Sequence, residues 1–378
     1  MAVQDEQKWL DAINKTGFDL EYKVQQILRR HHWHVINNRY YVDDKTGVDR
    51  EIDIVAYKTR YRENITCYTY LIISCKKSSE SSWVFLTSDN DECDEDFDIC
   101  PIEMAFSDSE LQALLDREKP IAVRKLNEIS SLKKVCDAPH RVLSFQQINK
   151  KSYKNEDDKR IFSSIITTIK AATYERKYAL MNRQFLTDLC MNFNLLSIFE
   201  GGLKENYRNE VKNEVNDVQE IKYINRHIID DTDRSYRVHF VSEVAFESIL
   251  EQYDQAAEDI VDYYLSLYKE VYDDIFSSEK RYRIDKVWKT FISELLSEMF
   301  EETFGMDNHT YFNNTWITKF EFRNTEKRLI MYWDLSLFNR TDLIIVELNE
   351  DEQLKKMTAK KLEKYFRYNG KFEFALET

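Results

Sequence analysis

Glycine and proline are scarce in this chain, six and three in 378 residues. Folds built from many tight turns need both, so all-β sandwiches and barrels are disfavoured and long helices with few sharp corners are expected. No apolar run approaches the roughly 18–20 residues of a membrane span. The first ten residues, M-A-V-Q-D-E-Q-K-W-L, carry charge where a secretory leader has an apolar stretch. The cysteines, Cys67, Cys75, Cys93, Cys100, Cys136 and Cys190, form no C-x-x-C pair. A zinc ribbon and a dense disulfide framework are thereby disfavoured, and reduced thiols in a cytoplasmic protein are expected.

Net positive charge is lacking as well. The balance is −14 at neutral pH, so the chain does not advertise generic phosphate binding. The acid is concentrated, however. Residues 88–98, S-D-N-D-E-C-D-E-D-F-D, hold seven carboxylates and no base; without the glycine and regular acid spacing of an EF-hand, they predict a solvated loop. Basic stretches remain at 58–62, 76–77, 280–289 and 355–368. The last but one, K-R-Y-R-I-D-K-V-W-K, reads either as base-stacking aromatics between cations or as a helix with one buried face.

What the chain has in plenty is apolar and aromatic material, 43% and 13% of its residues, enough to bury cores and to exclude global disorder. Its length exceeds what one core usually serves, so more than one domain is expected. Residues 17–30 place Phe18, Leu20, Val24, Ile27 and Leu28 on one helical stripe. Strands are predicted at 33–42, at 50–58, where Ile52, Ile54 and Ala56 alternate with Glu51, Asp53 and Val55, and at 67–77, an unbroken apolar run. A further short strand is predicted at 83–86, helices near 108–118 and 120–135, a strand at 142–145 and a long helix over 157–191. Gly201-Gly202 is the clearest punctuation, which suggests domains at 1–195 and 203–378. Beyond it, strands are predicted at 219–229 and 236–242, helices at 243–275 and 284–304, strands near 316–323, 328–335 and 342–348, and a basic helix at 353–367. The predicted class is mixed α/β: a mixed sheet flanked by helices at the N-terminus, then a mainly helical second half with a few strands.

One set of residues carries chemistry. Asp53 sits in the strand R-E-I-D-I-V-A, Lys76 ends the next strand in L-I-I-S-C-K-K-S, and Glu21 lies early in the preceding helix. A carboxylate centred in an apolar strand is unfavourable unless it is paired or liganded. Neighbouring strands can hold an Asp and a Lys on one face. Lys76 and Lys77 taken alone would be edge charges that discourage aggregation, and Glu21 taken alone a solvated helix residue.

This order of helix, strands and hallmark side chains resembles the PD-(D/E)XK, or restriction-endonuclease-like, nucleases over residues 15–90. Their pattern is an Asp followed by (Glu or Asp)-x-Lys on the neighbouring strand; here that tripeptide is Ser74-Cys75-Lys76. The resemblance implies a restriction-endonuclease-like sheet and hydrolysis of phosphodiester bonds in DNA or RNA with Mg²⁺ or Mn²⁺. Asp53, Glu21 and the Cys75 carbonyl would hold the metal and Lys76 would act on the water, in a setting of restriction or anti-phage defence. Ser74 departs from the pattern, because a neutral hydroxyl is a poor ligand for a hard cation. Glu21 or Glu51 would have to compensate. The alternative is a catalytically inactive nuclease fold that binds nucleic acid or protein; a third reading is a structural partner in a homo-oligomer or multiprotein complex. His31, His32 and His34 invite a metal reading but fit better as a helix end and its junction. Asp334, Asp342 and Glu347 are the only hint of a second such site, and ordinary strand-end charges explain them better.

Overall fold

The computed structural model describes residues 8–10, 12–13, 16–43, 46–62, 65–90, 100–181, 188–229, 231–273, 275–276, 317–323, 326–333 and 341–376. The chain divides into two compact units, Met1–Leu267 and Tyr268–Thr378.

The first unit opens with α1 (Phe18–Arg30), whose Leu20, Val24 and Leu28 recur at helical spacing and are buried. Phe18, expected on that stripe, is instead exposed. Strands β1 (His34–Val42), β2 (Asp49–Arg62) and β3 (Ile65–Ser88) follow as an antiparallel meander. After β4 (Met104–Phe106) come three short helices, α2 (Ser109–Arg117), α3 (Lys119–Asn127) and α4 (Ser130–Cys136), then β5 (Arg141–Asn149) and β6 (Asn155–Glu156). Helix α5 (Lys159–Met181) precedes β7 (Asp188–Arg208), β8 (Asn213–Asp217), β9 (Glu220–Ile229) and β10 (Thr232–Ser242). A short 3₁₀ turn leads into α6 (Phe246–Tyr272), whose last residues pass into the second unit.

These strands form one mixed sheet with the central order β1-β2-β3-β7-β10-β9. β7 runs parallel to both β3 and β10, and the hairpin β9–β10 closes that side of the sheet. Ile161, Ile165 and Ile169 of α5 are fully buried in the same core as Phe193, Leu195 and Phe240. Trp83 stacks on Phe199 at 3.9 Å and meets Phe240 edge-on.

Several expectations are corrected. The predicted strands at 67–77 and 83–86 are one strand, β3, with its register against β7 shifted between Lys77 and Ser82. The helix predicted over 157–191 stops at Met181, and residues from Asp188 enter a strand buried on both faces. Such a run has no periodicity to separate it from buried helix. Gly201-Gly202 is not a boundary but the interior of β7. A Cβ on Gly202 would lie 2.3 Å from Ser82 Oγ, and one on Gly201 would meet the Phe199 ring at 2.3 Å. Glycine here allows close strand approach, not chain reversal. The strands predicted at 219–229 and 236–242 are β9 and β10, and together with β8 they belong to the main sheet.

The edge of β2 is tied to α6 by a repeated ion pair. Lys58 Nζ meets Asp254 at 2.6 Å, Arg60 Nε meets Glu258 at 2.6 Å and Arg62 Nη1 meets Asp262 at 2.7 Å. Asp254 also accepts Trp33 Nε1–H at 2.7 Å and meets His31 Nδ1 at 2.5 Å.

In the second unit, β11 (Ile317–Arg323), β12 (Arg328–Trp333) and β13 (Lys371–Leu376) make a three-stranded sheet, with α7 (Thr341–Glu350) and α8 (Glu352–Phe366) between the last two strands. Leu329, Met331, Leu348, Leu362 and Phe374 form its core. Residues 342–348, predicted as strand, are therefore helix. Asp342 and Glu347 are not strand-end charges, and Asp334 lies outside the described residues. The acidic stretch at 91–99, the aromatic basic segment at 280–289 and the helix predicted at 284–304 lie outside them too. No helix among the described residues is long and apolar enough to cross a membrane.

Candidate active site

The antiparallel ladder between β2 and β3 runs from Arg62 opposite Ile65 to Ile54 opposite Ile73, and there it ends. Beyond that point β2 continues beside β1 to Asp49, while β3 continues beside β7 to Lys77. Asp53 and Ser74 stand where the strands part. On the other flank of β2, Asn38 takes a left-handed conformation (φ 50°), and the β1–β2 register passes from Asn37 opposite Ile54 to Arg39 opposite Ile52. Asp53 thus sits between the fork and the point opposite Asn38, where the β1–β2 pairing is interrupted without a change of register.

An N–H released from a ladder needs another acceptor. The Cys75 N–H finds it in Asp53 Oδ2, at 2.6 Å. The same oxygen accepts from Ser74 Oγ at 3.3 Å and lies 3.5 Å from Lys76 Nζ. Both charged side chains keep contact with solvent, 23% for Asp53 and 26% for Lys76. Lys77 points the other way and pairs with Glu200 at 2.7 Å, as alternation along a strand requires. Asp53 Oδ1 has no hydrogen-bond partner among the described residues.

Glu21 reaches the same place from α1. Burial first, then the negative charges of Asp53 and Glu51, push its carboxyl above the ordinary 4.5, while Lys76 opposes the rise. Gly17 gives it room: a Cβ there would come within 3.3 Å of Glu21 Oε1. Glu51 is more exposed and accepts a hydrogen bond from the Asn38 side chain.

No protein-family model matches the chain, and no curated protein or solved structure matches it either.

Ser74, the residue in the acid's place, is fully buried. Its partner across the parallel ladder is Ser197, whose hydroxyl meets Ser164 of α5 at 3.0 Å. The position is part of an internal row of hydroxyls. Cys75 is no nucleophile: burial first, then the charges of Asp53 and Glu21, raise its thiol far above its usual range.

Among the described residues no three His, Cys, Asp or Glu side chains gather to cage a metal. The donor set at the fork is leaner: Asp53 with Lys76 beside it, and the Glu21 carboxyl near enough to feel both charges. Two carboxylates suffice for Mg²⁺, which keeps several of its waters. The histidines are elsewhere. His31 pairs with Asp254, His34 stacks on Tyr57 at 5.0 Å, and His32 occupies a left-handed turn at φ 61°.

Sequence spacing picks out Asp53, Lys76 and Glu21; the structure sets Asp53 and Lys76 3.5 Å apart and leaves Glu21 within the field of both. It misses Asn38, Ser197 and Ser164. Asn37-Asn38 in mid-strand is a readable signal, since asparagine tolerates positive φ better than other residues with a Cβ. Nothing local marks the two serines, which meet only because helix α5 packs against β7.

Proposed function

We propose that the chain is a metal-dependent nuclease of the PD-(D/E)XK kind, hydrolysing phosphodiester bonds of DNA or RNA at the fork between β2 and β3. One observation carries this reading: Asp53 and Lys76 stand 3.5 Å apart where β2 and β3 part, with the Glu21 carboxyl of a separate helix inside their field. Like charges gathered in a half-buried site disfavour one another, and a divalent cation relieves them. Asp53, Glu21 and the Cys75 carbonyl would hold Mg²⁺ or Mn²⁺, which supplies phosphoryl polarisation and a more acidic attacking water. The Cys75 N–H and Ser74 hydroxyl fix Asp53 through Oδ2 and leave Oδ1 available. Lys76, 3.5 Å from Asp53, orients the water and offsets charge developing on the phosphoryl oxygens. Glu21 takes over the part of the acid that Ser74 lacks. A role in restriction or defence against phage rests on the family resemblance alone.

A second reading has its own support. Ser74 is fully buried and donates to Asp53, so the fork also fits a nuclease fold that has exchanged catalysis for internal hydrogen bonding and serves as a binding module.

The test uses the purified full chain with duplex DNA, single-stranded DNA and RNA, each with Mg²⁺ or Mn²⁺. The nuclease reading expects cutting that disappears in Glu21→Gln, Asp53→Asn and Lys76→Met, and Mn²⁺ binding, followed by calorimetry, that weakens in the first two. Cutting that survives all three substitutions overturns the site. Nucleic-acid binding with neither cutting nor Mn²⁺ uptake establishes the second reading instead. Activity gained only in Ser74→Glu would mean that the natural chain lacks a functional acid.

A further inference from the structure

A second cluster of reactive groups lies away from the fork, where α4 ends against β9 and β10. Cys136, the last residue of α4, is 6% exposed, and its thiol is in hydrogen-bond contact with the side chains of Cys100 and Arg237. Arg237, on β10, is itself only 8% exposed. Its Nη1 donates to the Pro101 carbonyl at 3.2 Å, and among the described residues no carboxylate pairs with it. The acidic groups that face it are the thiols of Cys136 and Cys100 and the phenol of Tyr253. Lys222 adds a second cation, donating to the carbonyls of Lys134 and Asp137 at 2.7 and 2.8 Å and so closing the end of α4. Beyond it, His239 contacts Glu220 at 2.5 Å and Tyr253 at 2.8 Å.

A guanidinium does not lose its proton in a protein, and burying one without a counter-charge is strongly unfavourable. Among the described residues the counter-charge available to Arg237 is a thiolate. The Cys136 thiol is accordingly drawn down to about 6, by the hydrogen bond with Cys100 first and by Arg237 and Lys222 against the opposing effect of burial. The fold contains its own contrast. Cys67 and Cys190 face each other across β3 and β7, both fully buried, and the thiol of Cys190 is pushed far up by its contact with Cys67 and by burial. The same pairing of sulfurs without a cation gives an inert thiol.

We propose that Cys136 and Cys100 form a peroxide-sensitive thiol pair, with Cys136 as the attacking thiolate and Cys100 as the resolving thiol. The Cys136 sulfur attacks the terminal oxygen of a hydroperoxide. An S–O bond forms, the O–O bond breaks, sulfur loses two electrons and the departing alkoxide or hydroxide takes a proton from water. Cys100, the more exposed of the two, then attacks the Cys136 sulfenic acid. An S–S bond forms, the S–O bond breaks, and the Cys100 proton leaves with the hydroxide as water. The inference is independent of the nuclease reading.

The test treats the reduced full chain with hydrogen peroxide, blocks remaining thiols with iodoacetamide after unfolding, and maps the peptides without reduction. The expected product is a Cys100–Cys136 cross-link, with Cys67 and Cys190 recovered as alkylated thiols. In Cys100→Ser, dimedone should instead label Cys136. Alkylation of the native chain should give Cys136 a rate that rises through a pH of about 6, as its thiolate forms. Arg237→Lys keeps the positive charge and should retain the reactivity. Peroxide that modifies Cys136 no faster than Cys67, or that joins Cys100 to Cys93 instead, overturns the proposal.

Discussion

The Cys75 backbone N–H and the Asp53 carboxylate meet at 2.6 Å across the opening between β2 and β3. The bond does two things at once. It satisfies a donor that the ladder has abandoned, and it sets the direction of a carboxylate that keeps partial contact with solvent. Asp53→Ala should therefore destabilise the chain by about 1–3 kcal/mol, the usual effect of stranding a buried amide. Asp53→Asn retains an acceptor and should stay within about 1 kcal/mol of the natural chain. Urea unfolding of both variants checks this, and equal stability of the alanine variant would show that the bond holds nothing in place.

The raised carboxyl of Glu21 gives the site a pH dependence with a definite sign. Its proton is held more tightly in the folded chain than in the unfolded one, so ionisation of Glu21 works against folding as pH rises through its folded value. A cation competes with that proton. Mn²⁺ affinity should therefore begin to fall, on acidification, at a pH above the ordinary 4.5 of a glutamate. Glu21→Gln should weaken Mn²⁺ binding about ten-fold or more, comparable with the loss of a group supporting a metal ligand, remove that acid limb and slightly raise the melting temperature of the metal-free chain. Calorimetric titration across acid pH reads all but the last, which a thermal scan supplies.

Gly202 offers a test of how closely β3 and β7 approach. Gly202→Ala places a methyl group 2.3 Å from Ser82 Oγ, an overlap expected to lose about 1–3 kcal/mol. Ser82→Gly alone should lose about 0.5–1 kcal/mol through backbone freedom. The double variant should lose less than the two together, because the clash is gone. Strict additivity in denaturant unfolding would mean the strands can separate freely there.

The hairpins and the fork were legible because their signals are local. Ile52, Ile54 and Ala56 alternate with Glu51, Asp53 and Val55; Asp53 interrupts one apolar strand, and Lys76 ends the next apolar run. The hairpin of β9 and β10 was legible for the same reason, with aspartates at its turn. Residues 188–199 and 342–348 were not, since a short apolar run buries equally well as strand or helix. The first became a central strand and the second a helix. Gly201-Gly202 misled for a different reason: glycine marks either chain reversal or close backbone approach, and only the position of Ser82 decides between them. The Cys136 cluster was invisible because Arg237, Cys100 and Cys136 come from three separate stretches of sequence.

The ion pairs between β2 and α6 have a consequence for how this chain can vary. Alternate residues of a strand advance about 6.7 Å, and residues four apart on a helix advance about 6 Å. Lys58, Arg60 and Arg62 therefore fall into step with Asp254, Glu258 and Asp262 like the teeth of two matched racks. Insertion of one residue between Lys58 and Arg60 would turn both arginines to the opposite face and leave Glu258 and Asp262 without them. The chain should tolerate substitution along the rack far better than any change in its length, so insertions and deletions should be excluded from residues 58–62 and 254–262.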